Sequence, residues 1–102
     1  MEKYKINLPL TVKKFMDELT HHDKVERLIL FGSRAIKDND ERADVDIAVS
    51  GYCLMKNDII RLRDKAYHAR SLYWICLVHL ETTPLPLRKR IIEQGVVIYE
   101  NT

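Results

Sequence analysis

The chain has 102 residues, 46% of them hydrophobic and 31% charged, with a formal net charge of +2. This length predicts a single domain over residues 1–102 with one modest core, and the composition is that of an ordinary soluble globular protein. The charge lacks the strong basic bias of a dedicated nucleic-acid binder, and the longest apolar runs, such as Leu28-Ile29-Leu30-Phe31, are strand-sized and too short to cross a bilayer.

Met1-Glu2-Lys3-Tyr4-Lys5 leads into no apolar signal core, which points to a cytoplasmic protein. From Pro9 to about Leu19, Val12, Phe15, Met16 and Leu19 form one stripe of an amphipathic helix. Tandem His21-His22 and Asp23 follow at its end, and His68 lies near the end of a later helix. Neither has zinc-site spacing, and polar or cationic residues are ordinary at helix C-termini. Glu26 to Gly32 reads as a buried strand, because four consecutive large apolar residues leave no polar face. A polar loop from Lys37 to Arg42 leads to a second strand, Asp44 to Ser50, which Gly51 ends.

Met55, Ile59, Leu62, Ala66 and Ala69 mark the apolar seam of a second helix, with Arg61, Arg63 and Lys65 on its outer face and Arg70 just beyond. That basic face suits either solvent or an acidic partner. Ser71 to about Leu80, rich in aromatic and aliphatic residues, reads as a third strand. Tyr67, Tyr73 and Trp74 are expected in the core and strand rather than as stacking platforms for nucleic acid. Thr83 is placed to cap a third helix, with Pro84 at its first position, Pro86 in its first turn and Gly95 as a left-handed stop. Val96 to Tyr99 makes a last short strand. The order α-β-β-α-β-α-β implies an α/β (α+β) fold: a mixed four-stranded sheet with about three helices packed on it. Cys53 and Cys76 form no Cys-x-x-Cys pair, and two reduced thiols are expected.

Two places carry chemistry. Gly32-Ser33 follows the Leu28–Phe31 strand directly, and glycine lets a backbone turn sharply and approach a ligand closely. Arg34-Ala35-Ile36 can begin a helical turn whose N–H groups point at an anion. Ser33 adds a hydroxyl and Arg34 a permanent positive charge. An ordinary strand-ending turn would use the same dipeptide. In the second place, Asp44 and Asp46 are two apart in a strand whose Val45, Ile47 and Val49 bury the opposite face. They therefore project to one side, about 6–7 Å apart along the chain. A shared divalent cation relieves their repulsion, and magnesium accepts such oxygen ligands together with water and phosphate. The structural alternative has Asp44 capping the loop and Asp46 pairing with Arg42 or Arg34, although Asp is poorly suited to strand interiors.

Taken together, Leu30-Phe31-Gly32-Ser33-Arg34-Ala35 and Asp44-Val45-Asp46-Ile47-Ala48-Val49 resemble the minimal nucleotidyltransferase (MNT) family of the polymerase-β-like nucleotidyltransferase superfamily. The likeness extends to Ile92-x-x-Gly95-x-x-Ile98-Tyr99. The resemblance implies a nucleoside triphosphate such as ATP held over Gly32 and Ser33, with Arg34 either on phosphate or on the carboxylate pair. It also implies two Mg2+ ions bound by Asp44 and Asp46, and transfer of a nucleotide at the α-phosphorus. Single-domain members resemble half of a two-protein system whose other half is a HEPN-domain protein, often a toxin ribonuclease that is AMPylated on tyrosine. An antitoxin-like subunit follows, with homo- or hetero-oligomers open and no membrane or direct nucleic-acid partner expected.

The family places a third carboxylate on the next strand, and the matching stretch here is Ile75-Cys76-Leu77-Val78-His79, with Cys76 in the acid's place. A buried, neutral thiol is a soft ligand poorly matched to magnesium and cannot act as a carboxylate base. Loss of a general base costs on the order of 10²–10⁴-fold in rate. His79 and Glu81 lie at odd separations from Cys76, so on a regular strand they face away from it. The chain is therefore expected to be either a weakened nucleotidyltransferase or a degenerate interaction subunit that binds a HEPN partner.

Overall fold

The computed structural model of the protein describes residues 8–37, 43–69 and 73–101. Helix α1 (Leu10–Thr20) leads to strands β1 (Arg27–Phe31) and β2 (Val45–Ser50), then helix α2 (Lys56–Ala69) and strand β3 (Ile75–His79). A 3-10 turn (Leu80–Thr82), helix α3 (Leu85–Gln94) and strand β4 (Val96–Glu100) complete the described chain. Most of the expected 37–42 loop, the Met1–Lys5 segment, Arg70 and Ser71 lie outside the described residues. Among the described residues no helix is long and apolar enough to cross a membrane.

The four strands form one mixed sheet in the order β3-β2-β1-β4. β1 is antiparallel to both β2 and β4, and β2 runs parallel to β3 through the α2 crossover. Alternation along each strand divides the sheet into two faces. On one, Leu28, Leu30, Val45, Ile47, Val49, Ile75 and Leu77 join Val12, Phe15, Met16 and Leu19 of α1 and Ile59, Leu62 and Ala66 of α2 in the main core. On the other, Ile29 and Ala48 pack against Leu80 and Ile91, with Phe31 and Val78 partly covered beside them. The second cluster is smaller, because α3 reaches only part of that face.

Three local expectations change. Met55 is 68% exposed, not part of the α2 seam. It sits where the helix is capped, its N–H donating to the Asp58 carboxylate at 2.9 Å and its carbonyl accepting from Ile59 N–H at 3.1 Å, so its side chain leaves before the helical stripe begins. Thr83 does not cap α3. Its hydroxyl donates back to Leu80 O at 2.9 Å, and Pro84 occupies the capping position instead. Gly95 is extended (φ −72°, ψ 158°), not left-handed, because the chain runs straight into β4 while Gly95 N–H still donates to Ile91 O at 2.8 Å. Its lack of a side chain matters for another reason: a Cβ there would press on the Ile91 carbonyl and the Ile29 side chain.

Glu81 ties the ends of β2 and β3 together. Its carboxylate accepts from Ser50 Oγ (2.5 Å) and Gly51 N–H (3.3 Å) and lies 3.2 Å from His79 Nε2, at ion-pair distance though without hydrogen-bond geometry. Burial pushes the carboxyl's pKa up, but the bonds from Ser50 and the backbone outweigh it and hold the value below the ordinary glutamate range. A depressed folded-state value means stability that is present above the ordinary range and is lost as pH falls through the folded one. Glu81→Gln should therefore cost about 1–2 kcal/mol at neutral pH. In urea melts the gap between the two proteins should close as the pH is lowered through that window.

Candidate active site

β1 ends at Phe31, which pairs across the sheet with Asp46. The next residue, Gly32, takes φ +77°, a conformation that glycine alone adopts without strain. The space where a Gly32 Cβ would stand is filled by the Asp46 carboxylate. The bend and the acid therefore occupy one place, brought there by the β1–β2 register. Beyond Gly32 its carbonyl accepts from Ala35 N–H (3.0 Å) and Ile36 N–H (3.4 Å), closing a single helix-like turn. The Ser33 amide precedes these bonds and is not used by them.

Asp44 lies one residue before β2 and is exposed, whereas Asp46 lies inside the strand and is half-buried. Val45, Ile47 and Val49 are fully buried on the opposite face, as alternation requires. The two carboxylates feel each other: burial, then the Asp44 charge, raises the Asp46 pKa above the ordinary value, and a hydrogen bond from the Cys76 thiol offsets part of that rise.

Cys76 pairs with Asp46 across the parallel β2–β3 ladder. It is exposed, not buried as its apolar neighbours suggested, because it falls on the face that α3 leaves partly open. Its thiol pKa is nonetheless raised, first by partial desolvation and next by the Asp46 charge, with Arg63 acting in the opposite sense. The thiol therefore stands protonated beside the carboxylate to which it donates. His79 and Glu81 take no part here. His79 is 7% exposed on the other face, and Glu81 is engaged at the far end of β2.

Arg34 is 8% exposed, and its Nε and Nη2 both donate to Ala43 O, at 3.1 and 3.0 Å, while its guanidinium lies 5.5 Å from the Tyr73 ring centroid. In this arrangement it braces the chain leading into Asp44, a role that neither expectation for it included. Arg42 lies outside the described residues. Trp74 and Tyr67 are 54% and 53% exposed, not core residues. They form a tilted pair, centroids 6.3 Å apart, at the open edge of β3. The contribution of Arg63 was not foreseen either. Its Nε donates to Leu77 O (3.1 Å) and its charge reaches Cys76, whereas helix periodicity places it simply on a solvated face.

This arrangement offers two carboxylates, a turn of backbone donors and a thiol, all at one end of one sheet face. Among the described residues no group of three His, Cys, Asp or Glu side chains converges into a ready metal site. The donor set fits a divalent cation shared with a polyphosphate, since Mg2+ takes one or two carboxylates and completes its shell with phosphate oxygens and water. It does not fit a metal enclosed by protein alone.

The polymerase beta nucleotidyltransferase family matches residues 13–102. Comparison with curated proteins gives no match. Several solved structures share the fold. One is a toxin–antitoxin crystal structure with AMP-PNP (TM-score 0.69, 22% identity, covering 90% of this chain and 73% of that one). A second is the MntA–HepT toxin–antitoxin complex (0.63, 22%, 90% and 72%). A third is a tri-AMPylated Shewanella oneidensis HEPN toxin in complex with its MNT antitoxin (0.60, 22%, 88% and 67%).

Two substitutions probe the shared position of bend and acid. Gly32→Ala should destabilise the fold by about 1–3 kcal/mol in urea melts, from the positive φ and the collision with Asp46. In a Cys53→Ser background, Asp46→Asn should speed alkylation of Cys76 about two- to fivefold at pH 8, because the Asp46 charge, which adds to desolvation in holding the thiol protonated, is gone.

Proposed function

The chain belongs to the polymerase beta nucleotidyltransferase family, and we propose that it transfers a nucleoside monophosphate, AMP in the first instance, from the triphosphate to a hydroxyl of a protein partner. The observation that carries this reading is the contact of the Gly32 bend with the Asp46 carboxylate, with Asp44 alongside. A triphosphate resting on the turn would place its phosphates between backbone donors and two acids, and only a cation makes that juxtaposition favourable. Mg2+, when bound, supplies charge neutralisation on the phosphates and a lowered pKa for the attacking hydroxyl. Gly32 and Ser33 hold and orient the phosphates through the backbone and the Ser33 hydroxyl, and Asp44 and Asp46 hold the cation. Arg34 acts on this site by fixing the Ala43–Asp44 chain. The acceptor oxygen forms a bond to the α-phosphorus, the bond to the β-phosphate oxygen breaks, and pyrophosphate leaves with that electron pair. The hydroxyl proton passes to solvent or to a site carboxylate, because Cys76, protonated and hydrogen-bonded to Asp46, is no base.

In this reading residues 1–102 act as one nucleotidyltransferase domain, and the acceptor belongs to a protein partner. The likeness to MNT antitoxins that are found with HEPN toxins supports a HEPN-domain partner and an antitoxin-like role; a cytoplasmic location is part of the proposal. The two thiols, both free, are consistent with a reducing compartment. One observation favours a second reading. The thiol paired with Asp46 suits a subunit that still binds nucleotide or partner but no longer turns over.

The two readings separate by mass spectrometry. With Mg2+, ATP and a co-expressed HEPN partner, the first predicts partner species heavier by one AMP, lost in Asp44→Ala and Asp46→Ala. Cys76→Asp should then raise the rate by about 10²–10⁴-fold as a general base is restored. ATP binding without any adduct, with Cys76→Asp creating one, supports the degenerate subunit. No adduct with either protein, together with no ATP binding and no binding of the HEPN partner, overturns both.

A further inference from the structure

β3 is an edge strand, and among the described residues nothing pairs with its outer side. Val45 N–H donates to Trp74 O at 2.9 Å, so the main-chain groups of residues 74, 76 and 78 turn toward β2. Those of Ile75 and Leu77 then turn outward, and the bond from Arg63 to Leu77 O at 3.1 Å agrees with this. A groove of about 410 Å3 runs along this edge, with Tyr67 and Arg63 of α2 on one side and Trp74, Cys76 and Val78 on the other. It meets at Arg63 a second groove of about 370 Å3, in which Lys56 stands with Ile59 and Ile60. The edge thus combines unpaired backbone, exposed aromatic and aliphatic surface, and cations. Those are the elements by which an extended segment adds to a sheet, and the cations set its charge.

We propose that the β3 edge is the docking surface for an extended, acidic segment of the protein partner, which adds as a fifth strand and carries the acceptor hydroxyl to the Asp46 side of the sheet. The acceptor's role rests on the transfer reading above; the docking does not. Strands lie about 4.8 Å apart, so an added strand sits about 10 Å from β2, a gap that a long side chain such as tyrosine largely closes. The other edge strand, β4, is separated from β2 by β1 and offers no such approach. Side chains of the added strand alternate between faces. Those sharing the face of Cys76 and Val78 approach Asp46, and their immediate neighbours fall on the α2 face beside Arg63. The acceptor is therefore flanked at ±1 by acidic residues. Leu77 O has two lone pairs, so it can accept an incoming N–H without losing Arg63.

Trp74, the chain's single tryptophan, reports docking through its fluorescence. The probe is a nine-residue peptide with a central tyrosine, Glu at ±1 and ±3 and Val at ±2 and ±4, titrated into the full chain. Controls are the same peptide with Lys for Glu and one N-methylated at alternate residues. A saturable change in Trp74 emission is expected, with affinity about fivefold weaker for the Lys peptide. Arg63→Glu, an exposed substitution, should reverse that preference, and Arg63→Ala should remove it. No saturable change, equal affinity for the two charges, or undiminished binding of the N-methylated peptide overturns the proposal. With ATP and Mg2+ added, a peptide that docks but gains no AMP leaves docking standing while transfer fails. AMP added equally to both peptides regardless of Arg63 leaves transfer standing and overturns docking.

Discussion

Everything at the candidate site depends on one close approach: the backbone of Gly32 against the carboxylate of Asp46. It is a consequence of strand register. Phe31 stands opposite Asp46 in the antiparallel β1–β2 pair, so the first residue past β1 must pass over the acid. Any side chain at that residue would be aimed into the carboxylate, and the positive φ there disfavours one independently. Glycine is thus required twice, once by the turn and once by the neighbour, and its presence lets the backbone pass directly against the acid. Under the proposed function a phosphate on this turn would be repelled by the nearby carboxylate, and a cation held between the two would relieve that repulsion, so turn and acids would act together.

The division of the sheet into two unequal faces makes room for this arrangement. The face under α1 and α2 carries the main core and holds the strands in place. The opposite face is covered by α3 and the 3-10 turn over Ile29 and Ala48 only, so Asp46 and Cys76, further along the same face, stay accessible. A polar group inside a strand is costly when buried without partners. Here it sits at the boundary of the covered region, where the desolvation that raises the Asp46 pKa is partial and the Cys76 thiol offsets some of it. Stability and site are segregated by face, and the alternation of β2 performs that segregation residue by residue.

That alternation is why so much of the fold and site was legible in the sequence. Val45, Ile47 and Val49, at alternate positions from the acid pair onward, specify a strand with one buried face, and the structure buries all three completely. The α1 stripe is equally plain, and Gly32 marks the bend. What escaped depends on tertiary placement that periodicity does not encode. Cys76 sits among apolar residues, yet on the partly open face it is exposed. Trp74 and Tyr67 read as core by composition, but they flank an edge where the sheet simply stops. Arg34 turned inward to Ala43 O because the loop into β2 presents it a carbonyl, a partner nine residues away. Thr83 chose a nearer carbonyl over the helix end, a competition between two local hydrogen bonds that sequence order alone does not decide.

Cys76 is best understood through charge. Burial and, after it, the charge of Asp44 already raise the pKa of Asp46. A third acid in register with Asp46 would add a further like charge to the same partly desolvated surface, at a cost the fold would carry whenever no cation is bound. A protonated thiol donates to Asp46 and adds no such charge. Under the proposed function it offers a hard cation less attraction than a carboxylate would and supplies no base. Arg63 pulls the other way, since its charge lowers the thiol's pKa and would equally have stabilised an acid at that position. Burial and the charges of Asp46 and Asp44 outweigh Arg63, so the surroundings of Cys76 disfavour a negative charge and the thiol stays protonated beside Asp46.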